Sequence, residues 1–185
     1  LFLKIEEVLR KSGRRRRQME GIGVGLGPGS FTGIRVGLAG GEGLAAGLGI
    51  PLVGVVSFAA MALAAPRQRG EVCCLLDARR GRIYAGRYEK DGDTVRRITG
   101  PALIPAEQVP GFCREALILC PGWEELREKY REYSDCEAEI RFPDAAGIAR
   151  LAERKLESGN FDAEAPLRPI YLSGYGKNST RTEEL

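Results

Sequence analysis

Gly27-Pro28-Gly29-Ser30-Phe31-Thr32-Gly33-Ile34-Arg35-Val36-Gly37 separates two kinds of hydrophobic pattern. Before it, Ile22, Val24 and Leu26 alternate with glycines, as one face of a strand does. The other face has no side chains to pack, so a second backbone layer is expected close to it. After it, Phe31, Ile34 and Leu38, then Leu44, Ala45 and Leu48, continue as a helix that Gly49 closes. Pro51 to Val56 reads as a second apolar strand, and Ser57 is placed to cap a short helix from Phe58 to Ala65. Strand, helix, strand, helix in that order calls for a parallel sheet with helices on its faces, an α/β fold.

The loop itself has legible chemistry. Its glycines permit a tight turn, Ser30 or Thr32 can accept from free amides, and a helix N-terminus carries partial positive charge. Gly27, Gly29, Ser30, Thr32 and Gly33 are therefore a candidate anion-binding loop, although the same residues serve equally well as a plain helix cap. No GxxxxGK[ST] occurs, and Gly25-Leu26-Gly27-Pro28-Gly29 does not complete GxGxxG. A P-loop enzyme is excluded and a Rossmann dehydrogenase gains little support.

Upstream, Leu1, Ile5, Val8 and Leu9 recur at helical spacing, so residues 1–11 read as an amphipathic helix stopped by Gly13. Leu1 falls inside this pattern and is not a start methionine, so a missing first segment is expected. Arg14 to Arg17 form a basic run that reads first as a solvated loop and second as a contact for nucleic-acid phosphate. Arg79 and Arg80, at a hairpin tip, admit the same two readings.

Downstream, the texture turns polar around Pro66 to Gly70, which marks a domain boundary. Val72 to Asp77 and Arg82 to Tyr88 are strand-like around the turn Ala78-Arg79-Arg80-Gly81, with Thr94 to Ile98 as a third strand. Ala116 to Cys120 reads as a buried strand and Trp123 to Tyr133 as a helix. Phe142-Pro143-Asp144 opens an amphipathic helix carrying Ile148, Leu151 and Leu156 that ends at Gly159. The divisions expected are 1–69 with 160–173, then 70–159, then a flexible tail over 174–185.

Composition restricts the chemistry further. The 185 residues contain no histidine, which removes the usual general base, every Ser-His or Cys-His pair and the commonest metal ligand. No catalytic residue, metal site or cofactor is expected; Asp77 lacks a second acid nearby and reads as a turn-stabilising residue. Five cysteines, odd in number and without CxxC spacing, fit reduced thiols in the cytosol and no disulfide framework. The apolar run from Leu44 to Leu63 is broken by glycines and Pro51, so no membrane span is expected. A net charge of +3 does not by itself argue for nucleic acid.

Several of these segments together resemble the TsaB (YeaZ) family. The similarity lies in Gly27-Pro28-Gly29-Ser30-Phe31-Thr32-Gly33-Ile34-Arg35-Val36-Gly37, Gly43-Leu44-Ala45 and the run Gly49 to Ser57. Asp77-Ala78-Arg79-Arg80-Gly81-Arg82-Ile83-Tyr84, Phe142-Pro143-Asp144-Ala145 and Pro169-Ile170-Tyr171-Leu172 extend it along the chain. The resemblance implies a two-lobed actin/hexokinase-like (ribonuclease H-like, ASKHA) fold, with the strands that normally open the first lobe absent. It also implies a non-catalytic, cytoplasmic subunit that binds and activates its paralogue TsaD in threonylcarbamoylation of tRNA. The ATPase TsaE is a further partner, tRNA is met through the complex, and the subunit alone forms a homodimer.

By the same resemblance the first helix and the helix after the loop supply the partner interface. The residues expected there are Leu1, Ile5, Val8, Gly33, Ile34, Gly37, Leu38, Gly41, Leu44 and Ala45. Departures from the family pattern are Gly40-Gly41 in place of better helix formers, Arg82 in place of an acidic residue, and Ser173 in place of arginine. The rival readings are an ATP-binding enzyme of the same superfamily and a homodimeric scaffold with no tRNA role. A peptidase is argued against by the missing histidine.

Overall fold

The computed structural model describes residues 1–160 and 166–172. The elements run α1 (Phe2–Lys11), β1 (Ile22–Gly25), α2 (Phe31–Leu48), β2 (Leu52–Val55), α3 (Ser57–Leu63), β3 (Arg69–Arg79), β4 (Arg82–Asp91) and β5 (Thr94–Pro105). They continue with α4 (Val109–Phe112), β6 (Leu117–Leu119), α5 (Trp123–Lys129), β7 (Ala138–Glu139) and α6 (Ala145–Ser158). Two compact units emerge: Leu1–Val56 with Ile148–Ile170, and Ser57–Gly147 with Tyr171–Leu185. The tail expected over 174–185 lies outside the described residues, as does Ser173. Among the described residues no helix is long and apolar enough to cross a membrane.

The first unit is built on a parallel pair, β1 with β2, in the register Ile22↔Leu52, Gly23↔Val53, Val24↔Gly54, Gly25↔Val55. Ile22, Val24 and Leu52 lie against Gly41 of α2. Val53 and Val55 pack on the opposite face with Ala152, Ile148, Leu151 and Leu156 of α6. The glycine face of β1 meets the backbone layer expected from its pattern. A Cβ on Gly23 would sit 2.7 Å from the Cβ of Ala152 and 3.3 Å from the carbonyl oxygen of Ile148. The Gly40-Gly41 pair is likewise used for close approach, with Leu1 of α1 over Gly40 and Leu52 over Gly41.

The second unit is a five-stranded sheet in the order β5-β4-β3-β6-β7. β3, β4 and β5 are antiparallel neighbours, while β6 pairs in parallel with β3 and β7. β5 runs on to Pro105, past the end at Ile98 that its alternation suggested, because it stays paired with β4 as far as Arg82↔Pro105. The helix expected over Trp123 to Tyr133 breaks at Tyr130 into a short 3-10 turn, Arg131–Tyr133. Tertiary contacts explain the break: Tyr133 stacks on Trp123 with ring centroids 5.5 Å apart, and its hydroxyl donates to the Ala106 carbonyl at 2.9 Å.

All five cysteines belong to this unit, and here the expectation of reduced thiols is corrected. Cys73 on β3 and Cys113 just after α4 form a disulfide, with Cα atoms 5.7 Å apart. Their separation of 40 residues in sequence hides the pairing from spacing rules. Cys74, Cys120 and Cys136 are free. Burial pushes the Cys120 thiol from 9.0 up to about 11, with the Gly122 amide opposing and Asp77 adding to the rise.

That shift makes stability pH-dependent. Because the folded pKa is raised, the protonated thiol is favoured by folding, so its contribution is complete below about pH 9 and is lost as pH climbs through 11. Two pK units correspond to about 3 kcal/mol. Burial raises Cys74, Tyr88 and Tyr133 in the same direction. The urea midpoint is therefore expected to hold steady from pH 7 to 8.5 and fall towards pH 11, less steeply in Cys120→Ala. Equal slopes for the two proteins would refute this account of Cys120.

Candidate functional site

The site indicated by the sequence is the Gly27–Gly33 loop with the helices α1 and α2, all in the first unit. Ser30 is the N-cap of α2, and its hydroxyl accepts from the Gly33 amide at 3.2 Å. The Gly27–Pro28 bond is cis and Gly27 has φ +100°, a left-handed conformation suited to glycine. A Cβ at Gly27 would meet Ile34 at 2.8 Å and the Ile170 carbonyl at 3.3 Å. Gly27 and Pro28 are buried, whereas Gly29, Ser30, Thr32 and Gly33 are exposed. At the other end Gly49, with φ +66°, donates its amide to the Ala45 carbonyl and terminates the helix.

The residues named from sequence divide by burial. Ile34, Leu38, Gly41 and Ala45 are buried along one stripe of α2 at spacings of four, three and four. Gly37 and Leu44 are half-buried, and Gly33 is exposed. On α1, Ile5 is half-buried while Leu1 and Val8 are 55% and 63% exposed. No residue of α1 is buried.

Sequence reasoning missed four exposed apolar side chains here: Phe2 and Leu3 on α1, and Phe31 and Val36 on α2. The signal was present in α2, because an 18-residue helix with apolar residues at 31, 34, 36, 38, 44, 45 and 48 cannot bury all of them on one stripe. Phe31 also carries the Arg35 guanidinium 4.0 Å above its ring. Leu1 and Phe2 reach α2 at Gly40, one turn along from Val36.

Charges border the apolar part of α1. Lys11, and then Lys4, hold the Glu7 carboxyl below its ordinary pKa. Arg14 to Arg17 are exposed; Arg16 pairs with Glu6 of α1, and the Gln18 side chain accepts from the Arg15 amide at 2.9 Å. Asp77 in the second unit behaves as a turn residue, its Oδ1 accepting from the Arg79 amide at 2.7 Å. Among the described residues no three His, Cys, Asp or Glu side chains come together as a metal would require.

The chain is similar to several known proteins. Residues 2–149 match the family model described as "TsaD: tRNA N6-adenosine threonylcarbamoyltransferase". The tRNA threonylcarbamoyladenosine biosynthesis protein TsaB of Escherichia coli (strain K12) is 28% identical over 178 residues, covering 91% of this chain and 77% of the relative. Its Haemophilus influenzae counterpart is 28% identical over 180 residues, covering 91% and 76%. Among solved structures, YeaZ from Pseudomonas aeruginosa superposes with a TM-score of 0.76 at 26% identity, covering 92% of this chain and 83% of that one. The chain belongs to the family that the threonylcarbamoyltransferase model describes, on its TsaB (YeaZ) side, and has the α/β fold of the actin and hexokinase type.

Proposed function

We propose that this chain is a non-catalytic, cytoplasmic partner subunit of tRNA threonylcarbamoyladenosine biosynthesis, which docks on and activates the threonylcarbamoyltransferase TsaD. The observation that carries the reading is the exposed apolar surface of α1 and α2: Leu1, Phe2, Val8, Phe31 and Val36. Gly43 and Gly47 on α2 are exposed and a Cβ on either would meet nothing within 4 Å, so they leave room for another backbone to approach. The pathway is the one for which the TsaB relatives are named. The absence of histidine from all 185 residues supports an accessory role over acid–base catalysis. TsaE and tRNA join through the complex, and without its partner the chain uses the same surface to form a homodimer.

A charge at Leu38 would test the core, since that side chain is only 8% exposed. Val36 and Val8, 51% and 63% exposed, are the proper positions. Val36→Glu combined with Val8→Glu is expected to leave the circular dichroism spectrum of the isolated chain unchanged while converting its homodimer to monomer. Stimulation of TsaD in reconstituted threonylcarbamoylation should fall by at least about tenfold, the loss of one well-packed apolar anchor or more. Undiminished stimulation by the double variant would overturn the proposed surface.

A further inference from the structure

The tip of the β3–β4 hairpin contains Arg79, Arg80 and Arg82 around Gly81. Arg79 and Arg82 pair across the ladder, which leaves Arg80-Gly81 as a two-residue turn with φ of +54° and +73°. Positive φ at both central positions is type I′ geometry, which favours asparagine, aspartate or glycine at the first. Arg79 adds a third left-handed residue, φ +66°, where the register shifts between Asp77 and Arg79. Arginine is a poor choice at either position on backbone grounds. Arg79 opposite Arg82 is a second unfavourable choice, because like charges directly opposite in a ladder repel.

The tip is nonetheless firmly framed. Asp77 accepts from the Arg79 amide, the Gly81 carbonyl accepts from the Ala106 amide at 2.9 Å, and β5 continues the ladder to Arg82↔Pro105. Elsewhere on the sheet, Arg69 pairs with Asp91, Arg87 with Glu71 and Arg96 with Glu89. Arg79, Arg80 and Arg82 are exposed and take part in no ion pair among the described residues. Three arginines are therefore gathered on one exposed hairpin tip, Arg79 and Arg80 against backbone preference and Arg79 and Arg82 against like-charge repulsion across the ladder. A polyanion relieves that repulsion, and guanidinium matches phosphate oxygens in two-point hydrogen bonds.

We infer that the Arg79–Arg82 tip is a contact site for the phosphodiester backbone of RNA. The choice of tRNA as that RNA rests on the function proposed above. The contact is to phosphate, so it adds affinity and position without reading base sequence.

The test uses Arg80→Asn with Arg82→Gln in the full chain. Asparagine at position 80 suits the turn, so the melting temperature of the variant is expected to be equal or higher, and any loss of binding is not loss of fold. Anisotropy of labelled, unmodified tRNA titrated with protein over a salt series should show a dissociation constant raised at least about fivefold at low salt. The log–log salt slope should be shallower by about 1.5, from two lost phosphate contacts. A constant within twofold of wild type with an unchanged slope overturns the inference. So does a wild-type chain with no salt-dependent tRNA affinity, alone or bound to TsaD. If the variant holds tRNA normally but loses TsaD, the tip is a protein contact and the inference is equally overturned. Failure of the wild-type chain to stimulate TsaD would instead sink the proposed function, while leaving the measured effect of the arginines on RNA affinity intact.

Discussion

Lys90→Met is expected to lower the unfolding free energy by about 3 kcal/mol, since two buried carbonyls would lose a charged donor at about 1–3 kcal/mol each. Lys90 lies on β4 at 7% exposure, and its ammonium donates to the carbonyls of Leu63 at 2.7 Å and Ala65 at 2.6 Å. These are the last residue of α3 and the chain just beyond it, where carbonyls have no partner within the helix and a cation is favoured by the helix dipole. Methionine keeps much of the stem volume, so the comparison isolates the lost donors. Trp123, the only tryptophan, is buried in the same unit and reports its unfolding by fluorescence. With a urea m-value of about 2 kcal/mol/M the midpoint should move down by about 1.5 M. A shift smaller than about 0.3 M would mean that Lys90 is not the cap of α3.

Gly23→Ala should cost about 3 kcal/mol, an unusually large loss for adding one methyl group. The new Cβ would lie 2.7 Å from the Cβ of Ala152 and 3.3 Å from the backbone oxygen of Ile148, so α6 itself has to move away from β1. Flexible side chains cannot absorb this clash, because both obstacles are fixed to the helix backbone. Gly43 and Gly47 are the internal controls: they lie in α2, a Cβ on either would meet nothing within 4 Å, and neither has positive φ. Alanine at each is expected to stabilise the helix by about 1 kcal/mol. Amide exchange in α6 is the measurement for Gly23→Ala, and faster exchange from Ile148 to Leu156 is the expected result. Protection equal to wild type would show that β1 and α6 are not packed backbone to backbone.

The two glycine predictions separate what was legible locally from what was not. Alternation of glycine with Ile22, Val24 and Leu26 already implied a close second layer, and that layer is α6. Which of the helical glycines has the same role could not be read, because Gly41, Gly43 and Gly47 of α2 differ only in what lies opposite them. The candidate docking surface follows the same rule. Its two helices and their caps at Ser30 and Gly49 were readable, but the choice between Ile34 and Leu38 on one side and Phe31 and Val36 on the other was not. Both sets are apolar, and only the position of β1 and β2 decides which one is buried.

By itself the sequence determined the elements of the first unit and the limits of α2, since capping, glycine termination and hydrophobic period act within a few residues of chain. It also determined the exclusion of histidine chemistry and the likeness to a known family. Tertiary structure alone decided the Cys73–Cys113 bond, the burial of Lys90 over the end of α3, the break of the helix at Tyr130 and the exposed face of α2. Each of these depends on groups brought together from distant parts of the chain, whose encounter has no signature in the residues beside either one.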